Sequence, residues 1–412
     1  MRKNFWPKAK VVALVAMVVI YLSLALFFKM GVQAGIIQKA PPTLLAAQGN
    51  DTMVDATKTI ASDLQSAERY FDEHFVRPNG HIELYLSTGK NETMSDYNTN
   101  SEAITYYLLW KAQAGDKQAL DAELKYMESY MMHPRFGYLM WRLNTNDSAT
   151  GDGSNIASDA DLRAIKALMI AEKKWGDKKY TALIDKLAKG LETLAISNDK
   201  LLTPYGGVSG ETAVWKTNEV WLSYADFTVF EELAKRRGGI WIEVNKNMKD
   251  AVLQAQIHNG LYNSQLTERR EYGNGIDGAG YSINSMWIMV RNAESNDPEL
   301  RASANQSLAF YKGKFEQDGE IYAMYHSSGS AMSPSDTPWV YALVGRAAIA
   351  LDDKEFSDKM IRKLLEKQQQ EGPHAGAFPE GFGTTERIGQ FTMQESIITL
   401  HDYVAKYLKG VQ

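Results

Sequence analysis

Apolar residues recur three or four positions apart in about twelve stretches of the chain, near 53–74, 101–114, 118–132, 160–174, 178–195, 218–235, 241–258, 281–293, 298–314, 338–351, 354–370 and 392–408. That spacing lines one face of a helix and predicts an all-α protein. Strict alternation, the mark of a half-buried strand, is hard to find outside short patches such as His81–Leu86. Loops rich in Gly, Asn, Ser and Pro separate the helices, and the long ones fall at 83–100, 133–158, 196–217, 259–280, 315–337 and 371–391. Helix pairs with short connections therefore alternate with long loops roughly six times. This is the order expected of an (α/α)6 barrel whose long loops gather at one end, where sites tend to be built. An irregular all-α domain or a helical solenoid is the alternative, but no fixed-period repeat supports the solenoid.

One stretch departs from the amphipathic pattern. Val11 to Phe28 is apolar throughout and would span roughly 27 Å as a helix, close to the hydrocarbon thickness of a bilayer. Arg2, Lys3, Lys8 and Lys10 precede it. The positive-inside bias predicts a cytoplasmic basic tail at 1–10, a single-pass transmembrane anchor at 11–28, a linker at 29–51 containing Pro41 and Pro42, and an extracellular barrel at 52–412. A cleaved signal peptide ending near Val32-Gln33-Ala34 is the competing reading. The apolar run is long for that role, and Phe27, Phe28 and Lys29 approach such a site poorly.

Composition narrows the chemistry. With 44% hydrophobic residues the chain is globular, and its net charge of −5 offers no basic surface for nucleic acid. It has no Cys, which excludes disulfides, thiol nucleophiles and Cys-ligated metals. The seven His show neither HExxH nor paired spacing, so no metal or cofactor is expected. The 21 Tyr and 9 Trp supply flat rings that could line a cleft.

The long loops hold the candidate site residues. Ser101 is placed to cap a helix, with Glu102 in its first turn, where a carboxylate can also simply complement the helix dipole. Loop 133–158 carries Trp141, Arg142, Asp147 and Asp152, and Asp159 and Asp161 open the next helix, one to cap it and the other to point into the cleft. A calcium loop is the rival reading, but the EF-hand spacing is absent. Trp141, Tyr205, Trp215, Tyr224 and Tyr272 lie in or beside long loops and are candidate sugar platforms, although each taken singly is as readily structural.

The segment Ala157-Ser158-Asp159-Ala160-Asp161-Leu162-Arg163-Ala164-Ile165 resembles the signature of glycoside hydrolase family 8, A-[ST]-D-[AG]-D-x-x-[IM]-A. Leu139-Met140-Trp141-Arg142 resembles the aromatic segment just upstream in that family, Ser101-Glu102 its Ser-Glu acid, and Ser223-Tyr224 its Asn-Pro-Ser-Tyr segment. The resemblance extends over most of 52–412 and implies an (α/α)6 barrel that hydrolyses β-glycosidic bonds in polysaccharide with inversion, acting within the chain. It implies Glu102 as general acid and Asp159 as the contact to the sugar at the cleavage position. For the general base, chain order points to Asp277 in Gly275-Ile276-Asp277-Gly278, where the family has Tyr-Asp-Ala-x-Arg; Asp336 is the second candidate. Arg142, Asp161 and Asp336 join the rings as substrate-binding candidates. A tether suits a substrate made at the same surface, so the expected substrate is the producer's own exopolysaccharide, with an association with its synthesis machinery. A membrane-tethered glycan-binding or scaffold protein without catalysis is the alternative. A polysaccharide lyase on the same type of barrel is a third reading, against which the Asp159/Asp161 signature argues.

Overall fold

The computed structural model describes residues 51–87, 99–144, 146–149, 151–210, 212–277, 280–333, 335–380 and 387–408. The expected tail at 1–10, the anchor at 11–28 and the linker up to residue 50 lie outside the described residues. Among those that are described, no helix is long and apolar enough to cross a membrane. Residues 54–412 form one compact unit.

Twelve α-helices are described in that part of the chain: α1 Asp51–His74, α2 Ser101–Ala114, α3 Lys117–Tyr126, α4 Ser158–Trp175, α5 Lys178–Leu194, α6 Phe227–Arg237, α7 Ile240–Ala255, α8 Ile283–Glu294, α9 Pro298–Asp318, α10 Pro338–Ala350, α11 Lys354–Leu365 and α12 Gln390–Tyr407. The even-numbered helices touch in sequence, α2 to α4 to α6 to α8 to α10 to α12, and α12 returns to α2, which closes a ring. The odd-numbered helices pack outside this ring, consistent with an (α/α)6 barrel. Burial explains the two layers. In α2 everything from Ala103 to Ala112 is buried, and in α10 everything from Pro338 to Ile349, as a helix enclosed on all sides requires. The outer α5 buries only Tyr180, Leu183, Ile184, Leu187, Ala188, Gly190, Leu191 and Leu194, a single stripe. Asp side chains cap five helices: Asp116, Asp177, Asp226, Asp297 and Asp353 each accept a bond from a backbone N–H of the first turn.

The ring is not filled by hydrocarbon alone. Lys166 on α4 pairs with Asp226 and Glu294, Arg291 on α8 pairs with Asp226, and Arg346 on α10 pairs with Glu294 and Glu395. Burial would raise the Glu294 carboxyl, but Arg346, Lys166 and Arg291 hold it down to about 2. These pairs join four inner helices and the N-cap of α6. Their value lies in register, because each buried charge must find its partner or incur a desolvation cost.

Two expectations are corrected. The helix expected over 218–235 begins only at Phe227, where Asp226 caps it; before that, Val220–Trp221 is a strand and Leu222–Tyr224 a 3₁₀ turn. Strand content is also higher than the sequence suggested. Short antiparallel pairs occur throughout the long loops, including a three-stranded sheet of Ile156–Ala157, Tyr205–Ser209 and Ala213–Lys216. Two-residue strands are too brief to leave a periodic signal, so only pairing in the fold reveals them.

Candidate active site

Glu102 stands at the second position of α2. Asn100, not Ser101, caps this helix: its Oδ1 accepts from the Ala103 N–H at 2.8 Å. The strand Thr99–Asn100 pairs with Arg142–Leu143, and the Ser101 N–H donates to the Trp141 carbonyl at 2.8 Å. This clamp brings Trp141 across from the acid. Its indole Nε1–H donates to both Glu102 carboxyl oxygens at 3.1 Å, and the Arg142 guanidinium covers the outer face of the ring at 3.6 Å.

Asp159 and Asp161 divide their work differently from the expected cap and cleft pair. The residue before α4 is Ala157, and no side chain caps that helix. Asp159 lines the same cavity as Glu102. Its Oδ2 accepts from Arg163 at 2.8 Å, and its Oδ1 has no partner among the described residues. Arg163 in turn lies 3.7 Å from the Tyr106 ring centre and donates to Thr105 Oγ1 at 3.2 Å, so Tyr106 and Thr105, both on the acid's own helix, fix Asp159 through it. Asp161 lies beneath the cleft, fully buried, and its Oδ1 accepts from the Leu139 N–H at 3.1 Å. It anchors the segment that carries Trp141.

The cavity around Glu102 has a volume of about 210 Å³. Besides the two carboxylates it is lined by Asn100, Ser223, Tyr224, Asn284, Trp287, Arg291 and Phe391, among others. Burial, and next the nearby Asp159 carboxylate, pushes the Glu102 carboxyl up to about 7. At neutral pH a large fraction of Glu102 therefore still carries its proton, the state a general acid needs. The Tyr224 hydroxyl, raised well above its ordinary range by burial and by the same carboxylates, stays a neutral donor beside them.

Tyr224 also lines a second cavity of about 290 Å³ together with Trp141, Asp152, Tyr205, Trp215 and Trp221. Neighbouring rings meet edge to face: Trp215 with Tyr205 at 6.4 Å, Tyr205 with Trp221 at 6.0 Å and Trp221 with Tyr224 at 5.3 Å. Four of the five rings singled out from the sequence therefore meet here. Trp221 was missed because it sat inside an expected helix, although it is two residues from the quoted Ser223-Tyr224. Gly207 makes the wall possible, since a Cβ there would lie 3.1 Å from Trp215 Nε1 and 2.6 Å from Asn155 Oδ1.

The other candidates lie elsewhere. Tyr272 is half-buried, and its hydroxyl donates to the Ala251 carbonyl at 3.1 Å, tying its loop to α7. Asp336 accepts from Lys367 at 2.7 Å and from Tyr341 at 3.1 Å, and does not line the Glu102 cavity. The backbone of Asp277 ends a 3₁₀ turn, Gly275–Asp277, in the loop leading to α8, whose Ile283 and Asn284 line the cavity. Its side chain is outside the described residues. The acidic residues of loop 133–158 are dispersed: Asp147 holds His81 and Tyr126, Asp152 lines the ring-walled cavity, and among the described residues no three His, Asp or Glu side chains are placed to hold a metal.

Comparison with known proteins bears on the family and the fold. The family model for glycosyl hydrolases family 8 matches residues 52–287. Endoglucanase 2 of Ruminiclostridium josui is 24% identical over 285 residues, which cover 67% of this chain and 60% of that protein. The chain thus spans about 60% of the length of this curated relative. Among solved structures, a novel alpha-amylase from Clostridium perfringens superposes with a TM-score of 0.70 at 20% identity, covering 83% of this chain and 98% of its own. Endoglucanase Cel10, a family 8 glycosyl hydrolase from Klebsiella pneumoniae, superposes with a TM-score of 0.58 at 17% identity over 82% of this chain and 98% of its own.

Proposed function

The chain belongs to the glycosyl hydrolases family 8, and from that premise we propose that it hydrolyses β-glycosidic bonds within a polysaccharide chain, inverting the anomeric centre. Glu102 protonates the departing glycosidic oxygen. Asp159 holds the sugar at the cleavage position, accepting a hydroxyl on its unpartnered Oδ1. Asp277 is the assigned base, the carboxylate that activates water on the opposite face; inversion sets the two catalytic carboxyls about 6.5–9.5 Å apart to leave room for that water. The rings of Trp141, Tyr205, Trp215, Trp221 and Tyr224 carry the sugars on one side of the cut.

The observation that carries this reading is a buried carboxyl, pushed up to about 7, in a cavity that shares Tyr224 with a second, ring-walled cavity. Two cavities that share a wall at Tyr224, one holding the acid and the other lined by rings, support attack within a chain. The apolar run 11–28 supports an anchor that holds the barrel outside the cell, and hence the producer's own exopolysaccharide as substrate, beside the machinery that makes it.

The test is incubation of the full chain with surface polysaccharide of the cells that make it and with a soluble β-glucan. Starch is the control, because one structural neighbour is an alpha-amylase. The anomeric form of new reducing ends is followed by NMR. Initial release of the α-anomer from a β-linked substrate is expected; initial release of the β-anomer would refute the two-carboxylate mechanism. Binding without product from any glycan would reduce the assignment to glycan capture.

A further inference from the structure

We infer that the outer wall of the barrel carries a second glycan-binding cavity, built by Glu123, Tyr126 and Tyr130 of the α3 region against the turn 76–80. The inference rests on the reading of this protein as glycan-active and adds to it a site that none of the residues around Glu102 line. The cavity measures about 510 Å³, larger than the one around Glu102, and shares no lining residue with it.

Glu123 is the feature the fold does not explain. It is 2% exposed, lines the cavity, and its Oε1 has no partner among the described residues. A buried carboxyl oxygen without a partner is destabilising and contributes nothing to packing that a Leu would not. Burial alone pushes it well above the ordinary carboxyl range. As the neutral acid it both donates and accepts a hydrogen bond, which matches two adjacent hydroxyls of a sugar and gives a cation little attraction. Two nearby cations are committed, Lys111 to Asp72 and Arg77 to Glu83, while Lys125, which also lines the cavity, is exposed and forms no ion pair with Glu123 among the described residues.

The rings supply the apolar half of the site. Tyr130 is 44% exposed, and its ring centre lies 5.0 Å from that of Tyr126. The Tyr126 hydroxyl donates to Asp147 at 2.6 Å, and Asp147 also binds His81 at 3.0 Å and Asn79 at 3.2 Å, so this ring is held before any ligand arrives. The turn closes flat against it. A Cβ on Gly80, which has φ 96°, would lie 2.7 Å from Tyr126 Cβ, and only glycine fits both demands. Tyr126 is only 2% exposed and serves as the rigid backing for Tyr130, so the exposed Tyr130 ring supplies the C–H stacking face that a neutral sugar requires and the enclosed neutral carboxyl supplies a partner for its hydroxyls.

The test is native gel electrophoresis of the full chain in non-ionic detergent through gels containing soluble mixed-linkage β-glucan. Three variants are compared: Glu102→Gln, Glu102→Gln with Tyr130→Ala, and Glu102→Gln with Glu123→Leu. Retardation of the first is expected to weaken roughly threefold or more in the other two. The Glu123→Leu protein should melt no lower than its parent, so that a loss of retardation is not unfolding. Equal retardation of all three, or none of any, overturns the inference. Because this assay reads mobility and the hydrolysis assay reads product, the second site and the proposed catalysis can fail separately.

Discussion

Replacing Glu102 with Gln should abolish turnover and yet stabilise the folded protein at alkaline pH. The reason is linkage. In the folded state Glu102 releases its proton at about 7, against 4.5 for the free side chain. The folded protein thus binds the proton more tightly than the unfolded chain, and its stability falls as pH rises from 4.5 towards 7. With 4.5 in the unfolded chain and about 7 in the fold, at 1.36 kcal/mol per pH unit, the penalty has an upper bound of about 3.4 kcal/mol by pH 8. Gln is never charged and escapes this penalty. Its Oε1 can still accept from the Trp141 indole, while its amide must find an acceptor in place of a carboxyl oxygen, so a net gain of about 1–3 kcal/mol is expected. The assay is chemical denaturation of the full-length wild-type and variant proteins at pH 4.5 and pH 8, followed by tryptophan fluorescence. The stability difference should be small at the lower pH and open in favour of the variant at the higher. A variant equally or less stable at pH 8, or a difference independent of pH, would refute the claim that the fold holds this acid under electrostatic strain.

Asp159→Asn should lower kcat at least about tenfold and move the alkaline limb of the kcat/KM profile below about 7 but not below 4.5, because burial, the larger cause, remains; an unmoved limb would show that the two carboxylates do not sense each other. Trp215→Ala should weaken glycan binding by about threefold to tenfold in titrations against the Glu102→Gln protein, with Gly207→Ala shifting it the same way by less, since its Cβ would press on the Trp215 indole. Wild-type affinity in Trp215→Ala would remove that ring from the groove. Asp226→Asn takes away a carboxylate whose burial is outweighed by Lys166 and Arg291, and should cost about 3 kcal/mol in denaturant unfolding by leaving both cations short of charge; a neutral outcome would mean that this network carries little of the ring's register.

The legible parts of the molecule were those set by local chemistry. The stretch expected at 101–114 is α2, Ser101–Ala114, because apolar periodicity and the Gly115 terminus both act within a few residues. The stretch expected at 218–235 started late because Val220, Leu222 and Ala225 are buried from a strand and a 3₁₀ turn, where spacing carries no helical meaning. Glu102 and Asp159 line one cavity and four of the five rings line a second that shares Tyr224 with it; each stood out within its own short segment, but their meeting is a property of the fold. Trp221, Asn284 and Trp287 could not be chosen from spacing, because what distinguishes them is the neighbour they meet from another segment: Tyr205 for Trp221, Ser223 for Asn284 and Tyr106 for Trp287.

The sequence by itself determined the helix count, their alternation with long loops, the apolar run at 11–28 and the motif around Asp159. Each depends on residues close along the chain, whose side chains meet through backbone geometry alone. Only the tertiary structure decided that Asn100 caps α2, that Asp161 holds the segment carrying Trp141 through the Leu139 N–H, and that burial and Asp159 push the Glu102 carboxyl up to about 7. A proton affinity depends on how much water reaches a carboxyl and which charges stand beside it. The ring of helices sets both, by bringing together segments that lie tens to hundreds of positions apart.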